Sequence, residues 1–276
     1  MAPSSSADPA PRARLALITG ASAGLGEAFA RAYAARGFDV ALTARRTERL
    51  EALAEALRAR HGVQALVIPA DLAVWEAHVP ILEAVSKVGR VVDVLVNNAG
   101  FGIAQAFTGV PWSRQRDFLM TLVVSACGLA HGVIPGMAER RWGRIINVAS
   151  LAAFSPGASG HSLYPAAKSF AVKFSQSLDA ELRDKGVLVT AVCPGFTRTE
   201  FAAASGTQEL MDKAPRRFWQ TPEAVVRTAI AANEGGRVVV VPGWHNKLAA
   251  FMLQALPDAL LSPLIRRGAA KYQLKD

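Results

Sequence analysis

Cysteine is almost absent from this chain. Two residues, Cys127 and Cys193, among 276 leave no disulfide framework and no cysteine spacing that would hold a metal. The expectation is a metal-free protein of a reducing compartment, the cytoplasm. A basic run is also missing: the net charge of +9 is spread along the chain, and no helix-turn-helix, zinc finger or RNA-binding module is legible. That argues against nucleic acid as a partner and suits a small polyanion, which needs only a few local cations. The opening stretch MAPSSSADPAPRA lacks the apolar core of a signal peptide, so residues 1–13 read as a disordered tail. There is no repeat of fixed period. The long apolar run near the C-terminus, 248–265, carries only Asp258 as a charge, but Pro257 and Pro263 interrupt it and make it a poor transmembrane helix.

What is present is alternation. Short apolar segments at 15–19, 40–43, 65–69, 91–96, 144–148, 187–192 and 237–241 read as strands. Amphipathic stretches at 48–60, 112–140, 166–185 and 222–232 read as helices between them. Nearly continuous hydrophobic strands with helical crossovers mean a parallel sheet covered on both faces. The expectation is an α/β fold: a Rossmann-type, doubly wound sheet of about seven strands over 14–243, followed by a helical extension over 244–276. Ligands of such sheets sit beyond the carboxyl ends of the strands.

After the first of these segments comes TGASAGLG, residues 19–26, at the start of a long helical stretch. Gly20, Gly24 and Gly26 at this place allow a tight turn and let the backbone approach a phosphate, which the free N–H groups of the helix start then bind. The second strand ends in LTARR, 42–46. A ribose diol is usually gripped there by an acid; Ala44 stands at that place and Arg45 and Arg46 follow. An arginine fork suits a 2′-phosphate better than a diol, so Arg45 favours NADP(H) over NAD(H). Later, Tyr164 and Lys168 in LYPAAKSF stand four apart, one helical turn on one face.

With TGASAGLG, Asp71-Leu72, NNAG at 97–100, Ser150 after NVA, YPAAK at 164–168 and PGFT at 194–197 in this order, the chain resembles the short-chain dehydrogenase/reductase family over roughly 14–243. The resemblance implies a nicotinamide cofactor held by the turn residues Gly20, Ser22, Gly24, Leu25 and Gly26. Asp71 and Leu72 would take the adenine, while Asn97, Asn98, Ala99 and Gly100 would form the ribose wall. Pro194, Gly195 and Thr197 would seat the carboxamide. It also implies that Ser150, Tyr164 and Lys168 are catalytic. Tyr164 would give a proton to a carbonyl oxygen, Lys168 would lower its pKa and hold the ribose, and Ser150 would bond the substrate oxygen. The reaction expected is hydride exchange between nicotinamide and a carbonyl or secondary alcohol in a small molecule. A non-catalytic NADP(H)-binding protein on the same scaffold is the alternative.

One position departs from the family. Leu122 stands where many members carry an asparagine that helps water pass protons to the lysine; Thr121 and Ser125 are the polar neighbours. The segment after PGFT is expected to cover the substrate with Phe196, Phe201, Leu210, Met211, Phe218 and Trp219, and His161 either reaches this pocket or lies on the surface. The tail is similar to that of long-chain keto-lipid reductases and broad-specificity members, which hints at an apolar ketone. It reads as a helical hairpin packed on the domain, a subunit interface, or a membrane-surface anchor with Lys247, Arg266, Arg267 and Lys271. By resemblance, a homodimer or homotetramer through the fourth and fifth long helices is expected.

Overall fold

The structure, a computed structural model, describes residues 13–157, 160, 162–205, 215–257 and 259–262. Seven parallel strands, β1 (Leu15–Thr19), β2 (Asp39–Ala44), β3 (Ala65–Pro69), β4 (Val94–Asn97), β5 (Gly143–Val148), β6 (Val187–Val192) and β7 (Val239–Val240), form one sheet. Their order is β3-β2-β1-β4-β5-β6-β7, so the chain reverses direction across the sheet between β3 and β4. That reversal opens a crevice at the carboxyl ends of β1 and β4, where doubly wound sheets bind their ligands.

Every residue of β1 is buried, because both faces are covered. Ala16 and Ile18 point to one layer, α1 (Gly24–Ala34), α2 (Thr47–His61) and α6 (Pro222–Glu234), where they meet Phe29, Leu50, Leu57, Val225 and Ile230. Leu15 and Leu17 point to the other layer, α3 (His78–Lys87), α4 (Trp112–Glu139) and α5 (Leu163–Leu182), among Ile81, Val85, Leu129, Met137 and Leu182. Burial of these aliphatic side chains on both sides fixes the register of the strands.

Several boundaries differ from the sequence reading. β4 begins at Val94 rather than 91, because Val91 is exposed and the pairing with β1 starts at Ala16 opposite Val94. β7 is cut to two residues. Helix α3 was not expected; Pro80 falls in its first turn, where the missing N–H would have had no helical partner. Helix α5 starts at Leu163, three residues early, with Pro165 again in the first turn. That start places Tyr164 inside the helix, one turn before Lys168. The long helix α4 holds a π-helical turn, Met120–Val124. By length and composition α4 could cross a membrane, but its Leu129, Ala130, Val133 and Met137 are packed in the sheet-side core. The C-terminal extension forms α7 (Trp244–Ala255), one further turn at 259–262, and residues outside the described set.

Candidate active site

The crevice begins where β1 ends. Thr19 Oγ1 accepts the N–H groups of Asn98 (2.9 Å) and Ala99 (3.0 Å) and donates to the Val96 carbonyl (3.2 Å). Asn98 Nδ2 donates to the Thr19 carbonyl at 2.9 Å, so the end of β4 is bolted to the glycine turn. Gly20 has φ +65°, and a Cβ there would lie 2.9 Å from Ala99 Cα; a Cβ at Gly26 would collide with the Gly20 carbonyl. Only glycine fits both places. Among the described residues no side chain caps α1, which leaves its first N–H groups to an anion near Ser22 and Leu25. These features fit the pyrophosphate of a dinucleotide. Asp71 is exposed, and its Oδ1 accepts from Ala73 N–H (3.0 Å), while Leu72 is buried below with its carbonyl bonded by Ser125 Oγ (2.7 Å).

At the end of β2 the two arginines part company. Arg46 places Nε and Nη2 on Ser22 Oγ, at 3.2 and 3.0 Å, and Nη1 on Glu200 Oε2 at 2.8 Å. Arg49, one turn into α2, holds the other Glu200 oxygen at 2.6 Å. Arg45 is exposed, and among the described residues it makes no such contact. The cation leaning over the glycine turn is Arg46. Sequence reasoning missed Arg49 and Glu200, since a contact across about 150 residues leaves no local pattern.

The three expected catalytic residues lie together at the carboxyl end of β5. Ser150 follows β5 and its Oγ accepts Ala152 N–H (3.2 Å), which starts a 3-10 turn, Leu151–Phe154. Tyr164 and Lys168 face it from the first turns of α5. Lys168 Nζ lies 5.7 Å from the centre of the Tyr164 ring and donates to the Val148 carbonyl at 2.7 Å. Burial pulls the Lys168 pKa down to about 8, although the neighbouring Cys193 opposes this. Burial also pushes the Tyr164 phenol above its ordinary value, against the lowering effect of its hydrogen bond with the Ser150 side chain. Among the protein's own groups desolvation is the larger effect; the expected lowering combines the Lys168 ammonium with the positive nicotinamide of the oxidised cofactor. Cys193 is fully buried beside Lys168, and burial raises its thiol to about 12. It is a packing residue.

Beyond β6, the Pro194 carbonyl accepts Leu151 N–H (2.9 Å), and Thr197 Oγ1 bonds back to the Gly195 carbonyl (3.1 Å). This loop is clamped from behind by Asn246 of α7. Asn246 is buried against Gly195, where a Cβ would collide with its side chain, and Nδ2 holds Gln220 Oε1 (3.0 Å) and the Pro242 carbonyl (2.9 Å). The C-terminal extension therefore supports the site directly, a role that its sequence did not disclose.

Leu122 is buried against Phe118 and Ala167, with Tyr164 at the edge of the same cluster, and its Cγ is 3.3 Å from a Cβ built on Gly100. Behind it lies a cavity of about 20 Å³ lined by residues that include Thr121, Asn97, Asn147 and Lys168. That is room for one water beside polar partners. Thr121 lines this cavity; Ser125 does not, because its hydroxyl is directed to Leu72.

The expected apolar cover is present in part. Phe201 packs against Tyr164 with the rings tilted by 48° and their centres 5.8 Å apart, Phe196 pairs with Trp219 at 5.6 Å, and Phe218 meets His245 at 5.6 Å. Ser205 Oγ accepts Gly102 N–H at 2.8 Å and pins the segment to the loop after β4. Leu210, Met211 and His161 lie outside the described residues.

Residues 14–210 match the family model described as short chain dehydrogenase. An uncharacterized oxidoreductase of Myxococcus xanthus (strain DK1622) is 34% identical over 92% of this chain and 97% of its own length. A very-long-chain 3-oxoacyl-CoA reductase of Anas platyrhynchos is 35% identical over 78% of this chain and 67% of its own. Among solved structures, a short-chain dehydrogenase from Sphingobium yanoikuyae in complex with NADPH superposes with a TM-score of 0.79 and 30% identity, over 90% of this chain and 95% of that one.

Proposed function

The chain belongs to the short chain dehydrogenase family, and we propose that it reduces an apolar or lipid-like ketone with NADPH, or oxidises the corresponding secondary alcohol. As a member of that family it is an oxidoreductase with a nicotinamide site. The observation that carries the finer reading is the meeting of Ser150, Tyr164 and Lys168 under aromatic side chains, next to a glycine turn overhung by Arg46.

The nicotinamide, when bound, supplies or accepts the hydride. The remaining work belongs to the protein. A ketone oxygen directed at Ser150 Oγ and the Tyr164 hydroxyl receives a hydrogen bond from the first and a proton from the second. A phenol whose pKa is raised by burial is protonated at neutral pH, which suits it as the acid of reduction. Lys168 has two N–H groups left beyond its bond to Val148, enough for ribose hydroxyls. The one-water cavity on its other side, with Thr121 in its wall, gives a place from which a proton reaches the lysine despite Leu122. Phe201 and Phe196 with Trp219 exclude water from the reacting centre.

The similarity to a protein named for very-long-chain 3-oxoacyl-CoA reduction supports a greasy carbonyl compound, and the NADPH-bound relative supports the phosphorylated cofactor. We read the working protein as a homo-oligomer through α4 and α5, whose exposed Val124 and stacked Phe170 and Phe174 suit a subunit contact. We read it as a cytoplasmic protein. The exposed stripe Trp244, Leu248, Phe251 and Met252 on α7 supports contact of the extension with a membrane surface. The alternative, a non-catalytic NADP(H)-binding protein, has Leu122 in its favour and the assembled Ser150, Tyr164 and Lys168 against it.

A series of ketones of increasing chain length, with NADPH oxidation followed by absorbance, tests the reading. Rising kcat/KM with chain length supports it; turnover of small polar ketones alone removes the lipid-like substrate, and no turnover at all favours the alternative.

A further inference from the structure

The Arg46 guanidinium is already occupied. Its Nε/Nη2 edge rests on Ser22 of the glycine turn, and its outer nitrogen, Nη1, rests on Glu200. Arg49 completes the grip on the same carboxylate. Two guanidiniums thus converge on one acid at the place where the preceding reading puts the 2′-phosphate of the cofactor. That acid belongs to the substrate side of the site. Glu200 follows Thr199, whose Cγ2 lies 3.0 Å from a Cβ built on Gly24, and precedes Phe201, the ring that covers Tyr164. Four residues later, Ser205 is tied to Gly102.

We propose that Glu200 is a specificity-determining residue of the cofactor site, an internal stand-in for the 2′-phosphate that a phosphorylated nucleotide must displace from Arg46 and Arg49, loosening the substrate-side segment 199–205 as it does so. The inference rests on the reading that these arginines bind a 2′-phosphate. A carboxylate brings one negative charge to two positive ones; a phosphate monoester brings nearly two and three acceptor oxygens, so it wins the exchange. All three side chains are about half exposed (45% for Arg46, 51% for Arg49 and Glu200). Ion pairs so exposed are weak enough to be exchanged rather than locked. The arginines also hold Glu200 ionised, pulling its carboxyl below the usual range, so the competitor is charged at neutral pH. An unphosphorylated dinucleotide offers nothing to exchange and leaves the segment fastened. The same contact therefore discriminates between cofactors and couples the choice to the cover of Tyr164.

The test uses the full-length protein and two fragments, adenosine 2′,5′-bisphosphate and adenosine 5′-monophosphate, with dissociation constants from calorimetry. Glu200→Gln should bind the bisphosphate about three- to fivefold more tightly, the range open to an exposed ion pair, and the monophosphate unchanged. In the wild type, the bisphosphate should speed hydrogen exchange of the amides at 201–205, and the monophosphate should not. An unaltered bisphosphate affinity in Glu200→Gln, or an equal change for both fragments, overturns the proposal. Arg46→Ala separates this failure from that of the underlying reading. If it removes the preference for the bisphosphate while Glu200→Gln is silent, the phosphate site stands and the stand-in falls. If Arg46→Ala leaves the preference intact, the phosphate site itself is wrong, and the proposal falls with it.

Discussion

Lys168 Nζ sits 5.7 Å from the centre of the Tyr164 ring while it donates to the Val148 carbonyl at the end of β5. The lysine is thus anchored to the sheet, and the tyrosine one turn earlier is positioned by the same helix. This relationship leads to a first prediction. Tyr164→Phe keeps the ring that packs on Phe201 but removes the hydroxyl that would give its proton to the substrate. Turnover should fall by at least about a thousandfold, within the range expected when a general acid is lost, while NADPH binding measured by fluorescence stays within a factor of a few. Retained turnover would remove Tyr164 from the mechanism.

The second prediction distinguishes two adjacent arginines. Arg46 hydrogen-bonds Ser22, whereas Arg45 is exposed and makes no side-chain hydrogen bond or ion pair among the described residues. Arg46→Ala should weaken NADPH about ten- to hundredfold, the cost of a charge-assisted hydrogen bond to phosphate, and weaken NADH little. Arg45→Ala should have the smaller effect on NADPH. The reverse ranking in measured dissociation constants would return the phosphate to Arg45.

A third concerns pH and stability. The buried Lys168 has a pKa of about 8 in the fold, below its ordinary value. Below pH 8 it is protonated in both folded and unfolded chains, and the fold bears the cost of a buried charge. As pH rises from 8 toward the ordinary lysine value, the unfolded chain holds more protons than the folded one, so this group makes the fold more stable. Cys193 and Tyr33, whose pKa values burial raises, act in the opposite sense, Cys193 from its ordinary value of 9.0 upward and Tyr33 from 10.0, so they overlap the upper part of the lysine window. The difference in unfolding free energy between wild type and Lys168→Met, from urea titrations, isolates the lysine. That difference should rise through pH 8–10; a flat profile would mean that Lys168 keeps an ordinary pKa.

The fourth prediction addresses Leu122. It fills an apolar cluster with Phe118 and Ala167 and backs onto Gly100. Leu122→Ala should cost about 2–4 kcal/mol of stability, as for other buried leucines, measured by urea unfolding. Leu122→Asn, the residue common in the family, should also destabilise, since an amide enters an apolar cluster without an assured partner. A neutral Leu122→Asn would show that the cluster around it accepts the polar side chain.

The order of strands and helices was legible because each buried strand needs an apolar run and each crossover needs an amphipathic one. Boundaries moved where side chains intervened, as at β4, whose pairing begins only after Asp93 has bonded Leu15 N–H with its carboxylate at 2.9 Å. α3 carries Pro80 in its first turn, where a helix tolerates proline, and the sequence reading assigned no helix there. The motif residues were legible because their chemistry requires fixed local spacings: glycines at a turn, and a tyrosine and a lysine one helical turn apart.

By itself, then, the sequence determined the sheet and the family, and it pointed to Ser150, Tyr164 and Lys168, which the fold brings together. Local periodicity and local spacing carry that information. Which arginine leans over the glycine turn, the grip of Glu200 on it, the clamp of Asn246 behind Gly195 and the water-sized cavity near Leu122 were decided by the tertiary structure alone. Each joins residues remote in the chain that meet only when the strand ends and the C-terminal extension are packed together.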